Sequence, residues 1–398
     1  MQGQDARIIG LIGTGHFLSH FYMLCLAPLF ITWRAEFDVS YAMLGLSIAL
    51  MSGTTAVLQT PVGFLVDKHG ARPFLVGGTL LMALSVAAMG FATEYWMILA
   101  LAVLSGVGNS VIHPADYAIM AGSIRKEFMG RAFALHTFTG NLGFALAPPI
   151  IALLLPLIGW RGALMVVGGL GIPVVVGIML ASRMLRDQAK ARGEKAMGGR
   201  ELLLSRPILL FFAFFLLSSM AGSGIQAFVI TVLGKLWGTP IAVGSMVLTG
   251  YMVGATSGTL VGGWVADKSR TNLFGFVLVL TCCAMAFILM LGLLPLPEFL
   301  LPFVGLAAGV CLGASRTPRD VMLKDACPPG EIGKVFGFVS AGLPLGGAIM
   351  PVPMGALIDA GAPWLVLPVV AILLALSLLC AGTARQAAAR APRAVPAE

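Results

Sequence analysis

Long apolar runs recur along the whole chain, and they most constrain what it can fold into. A helix needs about 20 predominantly apolar residues to cross the hydrocarbon core of a bilayer. The polar stretches between the runs are short, so we predict an all-α polytopic membrane protein that is not an enzyme. The twelve predicted transmembrane helices are 8–33, 41–66, 74–93, 95–122, 130–156, 161–182, 207–233, 241–266, 272–293, 298–323, 333–358 and 361–383.

The composition and the charge distribution agree with this class. Hydrophobic residues make up 58% of the chain and charged residues 11%, whereas ordinary soluble domains have about 25% charged residues. Most of the lysines and arginines fall on one side of the predicted segments. The positive-inside rule therefore places both termini in the cytoplasm and the protein in the inner (plasma) membrane. The formal net charge of +8 thus reflects membrane orientation, and we expect no nucleic-acid partner.

The loops after the second and the eighth predicted helix resemble each other, which indicates that the chain consists of two similar halves. In PVGFLVDKHGARP, Gly63 and Asp67 match Gly263 and Asp267 of VGGWVADKSR. Such a repeat predicts two pseudo-symmetric six-helix bundles with a site near the membrane midplane between them. We place the first bundle at residues 1–182, a basic cytoplasmic linker at 183–206, the second bundle at 207–384 and a cytoplasmic tail at 385–398.

The loop pattern G-x-x-x-D-[RK]-x-G-[RK]-[RK] resembles the signature loop of the major facilitator superfamily, and its weaker copy follows the eighth helix. The resemblance covers the whole chain and implies a secondary transporter with rocking halves and a lipid-embedded, monomeric fold. It also implies a gating or bracing role for the matching loop positions and for an acid that precedes the eleventh helix. These positions are Gly63, Asp67, Lys68, Arg72, Gly263, Asp267, Lys268 and Asp325.

More narrowly, three stretches resemble the fosmidomycin-resistance branch of that superfamily. They are GHFLSHFY in helix one, VIHPADYA in helix four and GRAFALHTFTGNLGFALAPP in helix five. Two positions depart from the branch, because His20 stands where an acid is usual and Ala147 replaces the glycine of a Gly-Pro pair. Export of a drug or antimetabolite in exchange for protons is therefore kept as an alternative function.

Charged residues interrupt two of the apolar runs. Arg316, Arg319 and Asp320 lie within the stretch Gly309 to Asp320, and Gly106 to Asp116 is its counterpart in the first half. A charge inside hydrocarbon costs roughly 2.5–3.5 kcal/mol on insertion scales, so such residues normally face water, a partner or a ligand. The resemblance implies that helices four and ten line a central cavity. The alternative is an internal ion-pair network that ties these two helices together.

The polar residue types inside the predicted membrane helices suggest which substrate the protein binds. The planar arginine guanidinium binds carboxylate or phosphonate in a bidentate manner, so the main hypothesis is proton-coupled transport of a small organic anion without a cofactor. The predicted substrate-binding residues are Arg316, Arg319, Asn109, His113, His20 and Gln226. Carboxylates and histidines can titrate near neutral pH when they are buried. The predicted proton-coupling residues are Asp116, Asp320, His113 and His136.

Transition-metal transport is a second alternative. His16 and His20 lie one turn apart on the first helix, and with His113 and Asp116 they could bind a metal ion. Methionine and histidine in membrane helices more often serve packing and polar contacts. We therefore predict no metal site, and keep His16 and His20 as the ligands of the alternative.

Overall fold

The computed structural model describes residues 3–125, 129–181, 184–185, 200–268, 272–326, 335 and 338–390. Within these residues every regular element is helical, and two short 3₁₀ turns occupy Ala27–Leu29 and Pro363–Leu365. The α-helices are α1 Gly3–Leu24, α2 Phe30–Phe37, α3 Tyr41–His69, α4 Ala71–Met89, α5 Tyr95–Ser110, α6 Ile112–Ser123, α7 Met129–Gly169, α8 Gly171–Leu180, α9 Arg200–Leu203, α10 Arg206–Trp237, α11 Ile241–Lys268, α12 Leu273–Leu293, α13 Leu301–Ala326, α14 Gly342–Ile349, α15 Pro351–Asp359 and α16 Val366–Arg390.

The helices of the described residues supply twelve crossings. Ten helical stretches of the described residues are long and apolar enough to span a membrane. One of them, Leu135–Leu180, has 46 residues, about twice what a bilayer needs, and it turns at Gly159, where φ is 68°. A left-handed φ suits glycine, so this stretch supplies the fifth and the sixth crossing. The helix α13 has 26 residues and is also long enough to cross a bilayer, but it is less apolar than the ten because it carries charged residues. It supplies the tenth crossing.

Several crossings are broken rather than straight. The fourth consists of α5 and α6, which meet at Val111 just before Pro114. The eleventh is divided between α14 and α15, and Pro351 begins the second part. Proline removes a helical hydrogen bond and clashes with the preceding turn. By contrast, Pro318 lies inside the continuous helix α13.

Packing joins the two halves along two seams. The helix α3 packs against α14 and α15, and α7 packs against α11. Within each half, α1 packs on α7 and α10 packs on α16. The tenth crossing, which carries the intramembrane arginines, is thereby held in the second half by its closest neighbour, α11.

The contact between α11 and α13 is made backbone to backbone. Seven glycines face the partner helix at four-residue spacing: Gly250, Gly254, Gly258 and Gly262 on α11, and Gly305, Gly309 and Gly313 on α13. A Cβ atom at any of them would lie only 2.1 to 2.6 Å from a carbonyl oxygen of the other helix. Small residues at such spacing allow membrane helices to approach closely. The glycines therefore fix where α13 presents Arg316.

The predicted bundle boundaries stay predictions. Most of the linker 183–206 lies outside the described residues, and so do residues 391–398 of the tail. The helix α16 continues into the predicted tail as far as Arg390.

Candidate functional site

A cavity of about 460 Å³ lies between the two halves of the chain. Residues of both halves line it, from α1 and α3 on one side to α10, α11, α13 and α14 on the other. Four of the six predicted substrate-binding residues are among them: His20, Gln226, Arg316 and Arg319. The position and size suit a small molecule.

Arg316 brings a positive charge to the wall of this cavity. It lies on α13 beside Tyr251 of α11, and both side chains line the cavity. Among the residues that the structure describes, Arg316 forms no ion pair within 4 Å. A guanidinium at membrane depth without a carboxylate partner is costly. An anionic ligand in the cavity would supply the missing negative charge.

Arg319 differs from Arg316, although both line the cavity. Its Nε and Nη2 atoms each lie 3.0 Å from Oδ1 of Asp320. Its guanidinium carbon lies 3.9 Å from the ring centroid of Phe215, a cation–π distance. The adjacent carboxylate therefore offsets the charge of Arg319. Asp320, a predicted proton carrier, has a side chain that is 44% exposed.

Four of the five histidines of the chain gather beside the cavity, in what we call the histidine cluster: His16, His20, His113 and His136. The rings of His16 and His136 stack with centroids 3.7 Å apart. The ring of His16 also lies 4.4 Å from that of His20 and 5.0 Å from that of His113. His20 lines the cavity, and the other three lie behind it.

Hydrogen bonds connect this cluster to a buried acid. Nε2 of His136 lies 2.9 Å from Oδ2 of Asp116, and Asp116 is fully buried. Nδ1 of His16 lies 2.8 Å from the carbonyl oxygen of His136. Asp116 thus pairs with the fifth crossing. No ion pair between described residues joins the fourth crossing to the tenth, which argues against the alternative of an ion-pair network.

Glycine makes room for the cluster on the fifth crossing. A Cβ atom at Gly140 would lie 2.5 Å from Cε1 of His16 and 2.9 Å from Cε1 of His20. At Gly143 it would lie 2.2 Å from the carbonyl oxygen of Phe17. The sequence TFTGNLGF of this crossing therefore determines how closely α7 and α1 pack around the histidines.

The other two predicted substrate-binding residues do not line the cavity. Nδ2 of Asn109 donates to Oγ1 of Thr55 at 3.2 Å and lies 3.5 Å from Sδ of Met23. Thr55 and Met23 do line the cavity. Asn109 therefore supports the wall from behind, and His113 belongs to the histidine cluster.

Sequence reasoning missed a polar stripe on α10. Ser218, Gly222 and Gln226 follow each other at four-residue spacing, and all three line the cavity, as does Ser223. Residues four apart share one face of a helix. The run SSMAGSGIQ carried this signal, but only Gln226 was selected from it.

The predicted gating loop is described only in part. Nε of Arg72 donates to the carbonyl oxygen of Leu185, just after the sixth crossing. Lys68 and Asp325 are exposed. A Cβ atom added to Gly63 or Gly263 would have no other atom within 4 Å. The side chains of Asp67, Asp267 and Lys268 lie outside the described residues.

The two halves are joined at the face opposite the chain ends. Asp359, at the end of α15, accepts hydrogen bonds from the backbone amides of Tyr41 at 2.7 Å and Ala42 at 2.8 Å. These amides begin α3, and a carboxylate at a helix N-terminus is stabilised by the helix dipole. Nη1 of Arg34 lies 3.9 Å from the same carboxylate. Asp359 thus fastens the second crossing to the eleventh.

Replacing Asp359 by alanine should loosen this face. The two amides would lose their acceptor, at a cost of about 1–3 kcal/mol, and the halves would separate there more often. A cysteine introduced at the cavity residue Ser52 should then react faster with a membrane-impermeant thiol reagent added to whole cells. Glu298→Ala removes an exposed acid from the same face and should leave the rate unchanged. Equal rates in all three proteins would contradict the role of Asp359.

Comparison with known proteins agrees with this architecture. The Major Facilitator Superfamily matches residues 12–234 and 210–397. The chain is 24% identical over 355 residues to the fosmidomycin resistance protein of Escherichia coli (strain K12), covering 86% of this chain and 85% of that protein. It is 26% identical over 147 residues to a protein of the same organism named "Probable L-galactonate transporter", which covers 37% of this chain and 32% of that transporter.

A solved structure supports the fold over the full length. The chain superimposes with a TM-score of 0.79 on a bacterial homolog of the human lysosomal transporter Spinster in an inward-facing and occupied conformation, at 14% identity and with 100% of both chains covered. The predicted all-α polytopic fold is therefore confirmed. The match of the family over most of the chain shows that this non-enzymatic, multi-pass membrane transporter of a small molecule belongs to the Major Facilitator Superfamily.

Proposed function

We propose that this protein transports a small organic anion, a carboxylate or a phosphonate, through the cavity between its two halves. The observation that carries the proposal is the guanidinium of Arg316 at the cavity wall without an ion-pair partner among the described residues. Guanidinium groups bind planar anions with two parallel hydrogen bonds and keep their charge at any physiological pH. An anion is thus the ligand class that this wall binds best.

The other groups at the wall suit a small polar cargo. Gln226 and the serines of α10 offer hydrogen-bond donors and acceptors. The buried side chain of Tyr251 lies beside Arg316 along the same wall and brings a phenolic hydroxyl to it. Phe144, Leu312 and Leu374 supply apolar contacts. The cavity therefore favours an anion with a short carbon skeleton that carries polar groups.

The similarity to a protein named for L-galactonate transport is consistent with this ligand class, although it spans only 37% of this chain. The longer similarity to a fosmidomycin resistance protein favours a second candidate, export of a drug or antimetabolite. A deletion strain distinguishes the two. Hypersensitivity to an antimetabolite indicates export, whereas loss of growth on a carboxylate carbon source indicates uptake.

A thermal-shift screen tests the anion class directly. Purified protein should be stabilised by small carboxylates or phosphonates, and not by the neutral amides or esters of the same shape. Binding at 100 times the dissociation constant adds about 2.7 kcal/mol to the folded state, which a melting curve resolves. Equal stabilisation by an acid and its neutral analogue would contradict the proposal.

A further inference from the structure

Three buried nitrogen atoms of the histidine cluster have no hydrogen-bond partner among the residues that the structure describes. They are Nε2 of His16, Nδ1 of His20 and Nδ1 of His113, and each is buried. Candidate ligand atoms of the same three residues all lie within 4.8 Å of one another. Buried polar atoms in native proteins are normally paired, and an unpaired one requires an explanation. Three at one place indicate a missing common partner.

One contact behind the rings orients His16 as a ligand. Nδ1 of His16 lies 2.8 Å from the carbonyl oxygen of His136, and only a protonated nitrogen can bond a carbonyl. Nε2 of His16 is therefore the atom with the lone pair, and it is one of the three unpartnered nitrogens. Histidines that bind metals typically donate their other N–H to a carbonyl or carboxylate in this way.

A buried carboxyl group is linked to the three rings through His136. Asp116 is fully buried and is hydrogen-bonded to His136, whose ring stacks on that of His16. The second carboxylate oxygen of Asp116 has no hydrogen-bond partner among the described residues. A divalent cation beside this acid would be partly compensated, whereas a cation elsewhere in an apolar bundle would not.

We infer that His16, His20 and His113 form a binding site for a divalent transition-metal ion. Imidazole ligands suit Zn²⁺, Co²⁺, Ni²⁺ and Cu²⁺, and the lack of thiolate ligands disfavours softer ions. A tetrahedral ion with Zn–N distances near 2.0–2.1 Å holds its nitrogens about 3.4 Å apart. Side-chain rotations that close the present separations by at most about 1.4 Å would bring the three nitrogens to that spacing.

The site borders the transport cavity through one ligand. His20 lines the cavity, whereas His16 is buried behind it. Three protein ligands leave the fourth position of a tetrahedral ion to water or to another ligand. A cargo carboxylate in the cavity could take that position, on the side of the cavity opposite Arg316. Metal binding itself does not depend on the identity of the cargo.

A cobalt titration tests the site. Purified protein with a histidine-free affinity tag should bind one Co²⁺ per chain and develop the intense visible bands of tetrahedral cobalt, which Zn²⁺ then displaces. His20→Gln should weaken binding at least 10-fold. His136→Gln keeps the backbone carbonyl that accepts the hydrogen bond from His16, so it should weaken binding less than His20→Gln does.

The remaining histidine provides the matched control. His69 is exposed at the end of α3, so His69→Gln should bind cobalt as the wild type does. If His16→Gln fails to fold, the number of Co²⁺ ions bound per wild-type chain and the cobalt affinity of His20→Gln still test the site. Absence of a stoichiometric cobalt spectrum, or equal affinity of His20→Gln and His69→Gln, would overturn the site and leave His113 and His136 with their predicted proton-coupling role.

Discussion

Replacing Gly309 by alanine should leave little folded protein. A Cβ atom at this position would lie 2.1 Å from the carbonyl oxygen of Tyr251 and 2.8 Å from its carbonyl carbon, well inside van der Waals contact. Both atoms belong to the backbone of α11, so no side-chain rotation relieves the clash. The two helices would have to move apart along the whole contact.

The expected cost exceeds that of ordinary overpacking. Extra methylene groups in a well-packed core cost about 1–3 kcal/mol when side chains adjust, so we expect more than about 3 kcal/mol for Gly309→Ala. The measurements are the yield of monodisperse protein in detergent and its melting temperature. Gly263→Ala changes a glycine of α11 with no atom near its Cβ position, and should behave as the wild type. Equal melting temperatures for the two variants would contradict the packing of α11 on α13.

Replacing Arg316 by glutamine should reduce transport about 100-fold without unfolding the protein. Removing one member of a buried charge pair costs about 2–5 kcal/mol, and about 2.7 kcal/mol corresponds to 100-fold in affinity. The measurement is uptake of the stabilising anion by proteoliposomes at a concentration below half-saturation. Glutamine keeps most of the length of the side chain, so the packing of α13 should survive.

Lys324→Gln is the matched control for Arg316→Gln. It removes the same charge from the same helix, but Lys324 is exposed in the last turn of α13 and lies outside the cavity. Its uptake should stay near that of the wild type. If both variants lost uptake equally, the effect would be general electrostatics, and Arg316 would not be the anion anchor.

Helical periodicity predicted which intramembrane residues share a face, and the structure agrees for His16 with His20 and for the cavity positions of Arg316 and Arg319. Periodicity says nothing about which neighbour covers that face. Asp116 lies in the stretch of the fourth crossing that was expected to line the cavity, but the fifth crossing covers it through His136. The sequence therefore could not distinguish a cavity wall from a buried pair.

Charge counting also had a limit. The sequence predicted Arg319 as an anion anchor and Asp320 as a proton carrier, and neighbouring residues of a helix do not normally face each other. The long arginine side chain instead folds back onto the adjacent carboxylate and onto Phe215. Among the described residues of the tenth crossing, Arg316 is consequently the arginine without an ion-pair partner.

The glycine spacing in the sequence already indicates a close pair of helices. Glycines at four-residue spacing on the eighth and tenth crossings are typical of close helix pairs, and they determine the strongest helix contact of the second half. The histidine cluster was less accessible, because its members come from three crossings that are distant in sequence. Only the fold brings His16, His113 and His136 within ring contact.

A structure of the protein with a stabilising anion bound tests the central claim most directly. The account predicts that the carboxylate or phosphonate group lies in the cavity within hydrogen-bond distance of the Arg316 guanidinium. An anion bound elsewhere, with Arg316 turned away from it or paired with a carboxylate of the protein, would contradict the account.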